Sequence, residues 1–460
     1  MISLITLVSL SLGAAQAMPP DQAAAPAQAP SPAQAPSPAQ PMPSDVANAP
    51  VLTLEQALDE ARDKSLDLKV ARARLDQALL QSRRAWASYL PTVVVGGSYT
   101  RNSVEAVLAL PGGGPPVTIQ PYDQLAAQIE VRQAILAPSL WPAIRNAGIA
   151  EEVSTLNTEF TRREVLFGVA QAYFNAAALQ ESIRATQFLL EVNTAREKDT
   201  QVRFDAGTVT RVALLRAQLD RARAEQDLVR ARNSYDSARL ALATLLQRES
   251  ANFSLQLPAV PEVPAVDEDL SRKAQEVRPD VLAARRNLDL AEGRRSGAWF
   301  AYLPSVGFAG VARTSNAAGF AGSASIWTLT LNGSWTLWDG GLREVVLREE
   351  SARVAEATAL QKQSELRVTQ EVATARLDYN NARSNLLKAE EALSLARETQ
   401  RLTEISFKAG VGTYLEVADA NSALTSAEVS AISERLQTSL AALRLQRAAG
   451  LFAANEPGFQ

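Results

Sequence analysis

The side chains available for chemistry in this sequence are mainly carboxylates, because its 460 residues include neither histidine nor cysteine. Histidine is the commonest general base and metal ligand, and cysteine supplies thiolate nucleophiles and zinc ligands. A cysteine protease, a zinc enzyme and a Ser-His-Asp hydrolase are therefore excluded. The glycine-rich run 111–116 is a turn that opens no helix, so it is not a phosphate-binding loop. We expect no enzyme, no cofactor and no metal site, and the net charge of −4 does not favour nucleic acid as a partner.

The most informative carboxylates, Glu416 and Asp419, follow a glycine-rich interruption of a long helical pattern. They are three residues apart and so share one helix face. Thr413 and Glu416 have the spacing of a capping box, in which each side chain satisfies a free N–H of the first turn. The interruption, 407–419, has an earlier counterpart at 204–210. Both predict the sharp tip of a helical hairpin, where a glycine in the left-handed conformation ends the first helix.

The N-terminal residues predict export. Residues 1–17 are apolar and end in Ala-Gln-Ala, which is typical of a signal peptide, although the segment carries no Lys or Arg. The alternative, a buried or membrane-spanning helix, is disfavoured because the segment is too short to cross a bilayer. Residues 18–50 are rich in Pro, Ala and Gln and predict a disordered tether that serves as a spacer.

From residue 51 onwards the chain repeats itself once, which predicts two halves at 51–257 and 267–450. Between them lies a Pro-rich linker at 258–266, and a tail follows at 451–460. The halves share a Trp, a Tyr and a Leu-Pro in register, and both contain a Phe-x-Ala-Gly tip. A period of about 200 residues is too long for a solenoid unit and indicates a duplicated domain half. The matched positions include Trp86 and Trp299, Tyr89 and Tyr302, Leu90 and Leu303, and Asp67 and Asp280.

Each half predicts the same order of elements. A helix (about 66–88, then 279–301) ends at Leu-Pro, because proline stops a helix. Two strands follow, then a helix of about 65 residues and a returning helix of about 35 residues. Helices of this length are nearly 100 Å long and predict coiled-coil packing rather than a globular core. The predicted strands are 92–101 and 124–136 in the first half, and 305–313 and 326–338 in the second.

The second strand of each half alternates strictly between apolar and polar residues, so each has one apolar face. Trp327 and Trp335 lie eight residues apart on that face, roughly 27 Å along a strand, which suits the two aromatic girdles of an outer-membrane barrel. Four strands are too few to close a barrel, so strands in lipid require several copies, and three copies with twelve strands are a natural solution. The alternative is a small sheet beneath the helices, with both Trp residues as ordinary packing aromatics.

Together, the duplication, the Leu-Pro junctions, the paired strands and the glycine tips resemble the TolC-like outer-membrane efflux and secretion proteins. The resemblance covers residues 51–450. It implies a mainly α-helical fold with a membrane β-barrel portion, in which a homotrimer forms a twelve-stranded barrel in outer-membrane lipid. The barrel continues as an α-helical tunnel across the periplasm of a Gram-negative bacterium. The family works with a periplasmic adaptor protein and an inner-membrane pump, so the resemblance implies a passive exit duct for efflux or type I secretion.

The resemblance also implies roles for individual residues. The acidic pair of the tunnel constriction falls on Glu416 and Asp419, for which the alternatives are a simple cap and a solvated surface. Some members hold the tunnel shut with a salt bridge whose positions here are Gly412 and Ala213, so that bridge cannot form. Closure is then expected to involve Glu404, Phe407, Tyr414 or other contacts; the alternative is a leakier resting state. The family's adaptor-docking tips, which alternatively only cap helices, fall on Ala206, Gly207, Thr208, Ala409, Gly410 and Val411.

The sequence therefore predicts the outer-membrane channel-tunnel of a tripartite efflux or secretion system. The alternative is a soluble periplasmic coiled-coil scaffold or adaptor with a small sheet. The two differ over what the strands between 92 and 338 contact: lipid in the first case, and the protein's own helices in the second.

Overall fold

A computed structural model describes residues 50–108, 116–261, 263, 269–317 and 323–453, apart from the side chain of Tyr414. The predicted signal peptide, nearly all of the tether, the glycine-rich run 111–115 and part of the linker lie outside these residues, as do the last seven residues of the tail. They stay predictions.

Long helices dominate the described chain, and their lengths match the prediction. The two longest have 66 and 67 residues, and each returning helix has 35. Each long helix ends at a predicted glycine tip. The helices are α1 (Leu54–Lys64), α2 (Leu66–Ala87), α3 (Leu140–Asp205), α4 (Arg211–Leu245), α5 (Leu270–Val277), α6 (Pro279–Trp299), α7 (Leu342–Lys408) and α8 (Tyr414–Ala448).

Four strands form an antiparallel sheet in the order β2-β5-β7-β8. The predicted strand 326–338 ends at Ser334 instead, so Trp335 and Leu337 lie beyond it. Two short pairs, β1 with β6 and β3 with β4, were not predicted. The strands are β1 (Val51–Leu52), β2 (Thr92–Arg101), β3 (Ala106–Leu108), β4 (Val117–Gln120), β5 (Asp123–Leu136), β6 (Ser254–Leu255), β7 (Ser305–Ser315) and β8 (Ser325–Ser334).

The two helical hairpins, α3 with α4 and α7 with α8, lie side by side. The contacts place the helices in the order α4-α3-α8-α7. Arg447 forms an ion pair with Glu164 at 2.6 Å, and further along Arg196 donates to the Val417 carbonyl at 3.3 Å. Because these contacts run in opposite directions along α3 and α8, both tips lie at the same end of the molecule, far from the sheet.

A hydrophobic core packs against the middle of the first hairpin. Here α1 and the β1–β6 pair cover α3 and α4. Tyr173 of α3 is fully buried, and its hydroxyl lies 2.8 Å from the Leu52 carbonyl oxygen and 3.0 Å from the Gln256 carbonyl oxygen, which share its one proton. This hydroxyl fixes both short strands to the helix, which explains how two-residue strands hold their place.

A buried arginine holds the second half together. Arg278, between α5 and α6, is only 5% exposed. Its guanidinium forms ion pairs with Asp280 at 2.8 Å and Glu371 at 2.6 Å, and it donates to the Ala448 carbonyl at 3.2 Å. These carboxylates keep the pKa of Arg278 above its usual value although burial opposes this. One side chain thus joins the start of α6 to α7 and to the end of α8.

We expect Arg278→Ala to destabilise the protein by about 3–5 kcal/mol, because removing one partner of a buried ion pair leaves the others unpaired. Thermal unfolding of the purified protein, followed by circular dichroism, measures the effect. Arg285→Ala is the matched control, because Arg285 is more exposed than Arg278. Its ion pair with Glu365 is 3.6 Å long, which is longer than either ion pair of Arg278. Equal midpoints for the two variants would show that the Arg278 network adds no stability.

Candidate functional site

The four-stranded sheet has one apolar and one polar face, as the strand register shows. On the first face, Val95 of β2 lies opposite Ile129, which lies opposite Ala312, which lies opposite Trp327. On the second face the side chains are mostly small, polar or charged. The apolar face carries Val93, Val95, Tyr99, Leu125, Ala127, Ile129, Val131, Phe308, Ala312, Trp327, Leu329 and Leu331, with Gln133 and Thr314 as polar exceptions; the polar face carries Thr92, Ser98, Thr100, Gln124, Gln128, Glu130, Arg132, Arg313, Thr328, Thr330, Asn332 and Ser334, with Val94, Val311 and Ile326 as apolar exceptions.

No helix in the described chain covers the apolar face. Trp327 is 75% exposed and Trp335 is 63% exposed, so neither is an ordinary packing aromatic of this chain. The indole N–H of Trp335 donates to the Tyr302 carbonyl at 3.0 Å, which holds the ring where the sheet meets the helices. A contiguous exposed apolar face that extends over four strands marks a surface that contacts lipid or protein.

Three more aromatics lie at the junction of sheet and helices, and sequence reasoning did not assign them to the membrane surface. Trp86 ends α2, Trp299 ends α6 and Trp338 follows β8; all three are more than half exposed. Trp and Tyr prefer the boundary between hydrocarbon and water. Trp86 and Trp299 were recognised only as markers of the repeat, and both stand a few residues before a Leu-Pro, where helix and sheet meet.

The two outer edges of this sheet have no strand partner among the described residues. β2 pairs only with β5, and β8 pairs only with β7. An unpaired edge presents free N–H and C=O groups, and these cannot be left unsatisfied in hydrocarbon. The apolar face and the free edges together require further strands if the sheet lies in a membrane.

The first tip has the predicted geometry. Gly207 has φ of +71°, the left-handed conformation that glycine adopts without steric cost. The Thr208 N–H donates to the Arg203 carbonyl at 2.9 Å, which closes the end of α3. Thr210 then caps α4 by accepting from the Ala213 N–H at 3.4 Å. The exposed turn containing Ala206, Gly207 and Thr208 is therefore bounded by a hydrogen-bonded helix end on each side.

The second tip contains the predicted capping box. Gly410 has φ of +80°. The Thr413 N–H donates to the Glu416 carboxylate at 2.9 Å, and the Glu416 N–H donates to the Thr413 hydroxyl at 3.3 Å. At Gly412 an added Cβ would lie 3.0 Å from the Phe407 backbone nitrogen. The backbone of this tight turn would therefore have to shift by a few tenths of an ångström to accept a side chain at position 412.

The acidic pair lies on the exposed side of α8. Glu416 and Asp419 are both exposed, whereas Ala420 and Leu424, further along the same helix, are buried. Both residues thus lie in the first two turns of α8, just after the tip. Ala409, Gly410 and Val411 form the extreme end, and Val411 is 81% exposed.

The predicted gate residues take part in contacts around the tips. Lys408 donates to Glu404 at 2.7 Å, and this hydrogen bond lowers the pKa of the Glu404 carboxyl. Phe407 lies beneath the Arg203 guanidinium of the other hairpin, with 5.3 Å between the guanidinium carbon and the ring centroid. Arg203 was not a predicted gate residue. The Tyr414 side chain lies outside the described part.

Two further observations concern the described residues alone. Among them, no group of three or more Asp and Glu residues is arranged to hold a metal ion. None of the described helices is both long and apolar enough to cross a membrane.

The fold, the two-faced sheet and the paired tips define a class of protein: an outer-membrane channel continued by long helices. A family model described as "Outer membrane efflux protein" matches residues 57–247 and 270–451. The chain therefore belongs to the outer membrane efflux protein family. The predicted fold class, outer-membrane location and efflux-channel function are confirmed at this level.

Individual relatives agree with this assignment. The chain is 26% identical over 432 residues to the pyoverdine export outer membrane protein OpmQ of Pseudomonas putida, covering 88% of this chain and 86% of OpmQ. It is 22% identical to the outer membrane protein TolC of Escherichia coli, covering 86% and 82% of the two chains. The crystal structure of the outer membrane protein VceC from Vibrio cholerae has the same fold, with a TM-score of 0.71 at 19% identity, covering 86% of this chain and 96% of VceC.

Proposed function

We propose that three copies of this chain form a passive exit duct, with a twelve-stranded barrel in the outer membrane and a helical tunnel in the periplasm. The observation that carries the proposal is a four-stranded sheet with an exposed apolar face and two edges that no other described strand covers. One copy cannot close a barrel, because known barrels begin at about eight strands. A cyclic arrangement gives every edge strand a partner and leaves none exposed to lipid.

The helical hairpins support the same arrangement. The outer helices of the four-helix layer, α4 and α7, each carry a stripe of exposed apolar residues within about 100° of the helix circumference at 3.6 residues per turn. Other exposed apolar residues, such as Leu245 on α4 and Leu360 on α7, lie outside these stripes. Apolar stripes on opposite edges suit a contact in which each copy meets the next and the ring closes. The stripes consist of Val212, Leu215, Leu219, Val229 and Leu240 on α4, and of Leu366, Leu377, Leu387, Leu395, Leu402 and Ile405 on α7.

At the tip end of the proposed tunnel, Glu416 and Asp419 from three copies form rings of negative charge. Such rings favour cations and oppose anions. The exposed tips at Ala206, Gly207, Thr208, Ala409, Gly410 and Val411 then meet the periplasmic adaptor, which connects the duct to an inner-membrane pump. The pump supplies the energy, so the duct itself makes and breaks no bonds and is not an enzyme.

Fractionation of cells and native mass measurement of the detergent-extracted protein test this proposal. We expect an outer-membrane trimer that forms a channel in a planar bilayer. A water-soluble monomer or a soluble coiled-coil assembly would instead support the periplasmic scaffold.

We also propose that the contact of Arg203 with Phe407 helps to hold the tunnel narrow, since it joins the two hairpins beside the tips. Removing the guanidinium releases this contact and the Arg203–Asp199 ion pair at 2.9 Å. We expect Arg203→Ala to raise the resting single-channel conductance at least about twofold, because a cation–π contact supplies about 0.5–2 kcal/mol. Planar-bilayer recording measures this.

Arg211→Ala is the matched control for that measurement, because Arg211 is also an exposed arginine near a tip. Asp199→Ala separates the ion pair from the ring contact. If Arg203→Ala and Arg211→Ala show equal conductance, the contact with Phe407 does not restrict the tunnel.

A further inference from the structure

The two halves of the chain repeat the pairing of their strands as well as their elements. Thr92 and Ser305 each follow a Leu-Pro and begin β2 and β7. Thr92 lies opposite Arg132 of β5, and Ser305 lies opposite Ser334 of β8. Arg132 and Ser334 are therefore equivalent positions, and β5 and β8 are equivalent strands.

The strand β5 has a second partner, and β8 has none among the described residues. On its other edge β5 pairs with β7, where Glu130 lies opposite Val311. Two residues before Ser334, Asn332 is the equivalent of Glu130. Six residues after Thr92, Ser98 is the equivalent of Val311, which lies six residues after Ser305. The repeat thus predicts a second partner for β8 in which Ser98 faces Asn332.

This second partner must come from another copy, because β2 of the same chain lies at the far edge of the sheet. We infer that β8 of one copy pairs antiparallel with β2 of the next, with Asn332 opposite Ser98 of the neighbouring copy. The inference rests on the proposed trimer and deepens it, because it states the register at which the barrel closes.

The chemistry of both faces agrees with this register. It places Leu331 opposite Tyr99 and Gly333 opposite Gly97 on the apolar face, and Asn332 and Ser98 on the polar face. A slip of one residue would turn the apolar side chains of one strand into the lumen. A slip of two residues keeps the faces but breaks the equivalence of the halves.

The equivalence of the two halves also predicts a contact between helices of neighbouring copies, and this contact would bury apolar surface. Within one copy, the start of α3 packs on the end of α6, where the Trp141 and Phe300 rings lie 6.1 Å apart edge to face. The equivalent contact brings the start of α7 against the end of α2 in the neighbouring copy. Both surfaces are exposed and apolar in the single chain: Leu80 and Trp86 on α2, and Leu342 and Val345 on α7.

Disulfide cross-linking tests the register without background, since the chain has no cysteine. The full-length variant Ser98→Cys with Asn332→Cys is expressed, and its outer membranes are oxidised. Directly opposed residues lie about 4.5–5.5 Å apart between Cβ atoms, whereas diagonal neighbours lie about 7–8 Å apart, beyond the reach of an unstrained disulfide. We expect disulfide-linked dimers and trimers on non-reducing gels, formed at least about tenfold faster than with diagonal pairs.

The diagonal controls keep Ser98→Cys and combine it with Thr330→Cys or Ser334→Cys. Faster cross-linking by either control overturns the inferred register while leaving the trimer intact. A trimer that cross-links in none of the three variants shows that β8 does not meet β2 of a neighbour. A protein that forms no trimer refutes the proposed function and this inference with it.

Discussion

Neutralising the acidic pair is expected to weaken block of the channel by a trivalent cation at least about tenfold, which corresponds to about 1.4 kcal/mol of binding free energy. The variant is Glu416→Gln with Asp419→Asn. In the proposed trimer it removes six carboxylates from one level of the tunnel, where their fields overlap within a screening length of about 8–10 Å. Titration of the blocking cation in planar-bilayer recordings measures the change.

Glutamine is chosen at position 416 because it can retain the capping box. Its side-chain oxygen still accepts from the Thr413 N–H, so α8 begins as before. A change in block then reports charge and not a frayed helix. With Glu416→Ala, the cap and the charge would be lost together.

The control for this variant is Asp205→Asn, which removes an exposed carboxylate at the first tip. Asp205 accepts a hydrogen bond from Gln201 at 2.9 Å and lies outside the acidic pair. If any negative charge near the tunnel end were sufficient to bind the blocking cation, Asp205→Asn would weaken block as well. If the blocking cation bound the double variant as tightly as the unmodified protein, Glu416 and Asp419 would not line the constriction.

Features of the tips could be predicted from the sequence because they depend on neighbouring residues. A left-handed glycine and a Thr-x-x-Glu capping box need only the local chain, and Gly410, Thr413 and Glu416 adopt the expected geometry. The long helices could be predicted equally well, because apolar residues recur every three or four positions along them and a glycine follows the end of each. Arg203 was not predicted, because its contact with Phe407 joins residues about 200 positions apart.

The ends and edges of the sheet were harder to predict for a physical reason. Alternation continues through Trp335 and Leu337, so the pattern predicted a strand to residue 338, yet β8 ends at Ser334 in a single copy. Alternation reports the face that a side chain takes, whereas a strand also needs a hydrogen-bonding partner. The two-residue strands β1 and β6 show the opposite case: they are too short for any period, and the buried Tyr173 hydroxyl holds them.

An arginine on the apolar face is expected to prevent assembly in the outer membrane, whereas an arginine at the adjacent position is tolerated. Leu329 lies on the apolar face and is 62% exposed, and Thr330 lies on the polar face beside it. Arginine facing lipid near the middle of a barrel costs about 2–4 kcal/mol, and three copies would bear roughly 6–12 kcal/mol in total. Arginine facing a water-filled lumen bears no such penalty.

The amount of heat-stable trimer in the outer-membrane fraction measures the difference. We expect Leu329→Arg to reduce it strongly and Thr330→Arg to leave it near the unmodified level, with altered ion selectivity as the only effect. Because the two residues are adjacent, they share a strand and nearly the same depth, and they differ in the face that they occupy and in the side chains around them. Equal loss in both variants would mean that both faces are packed against protein, and the sheet would then not separate lipid from a lumen.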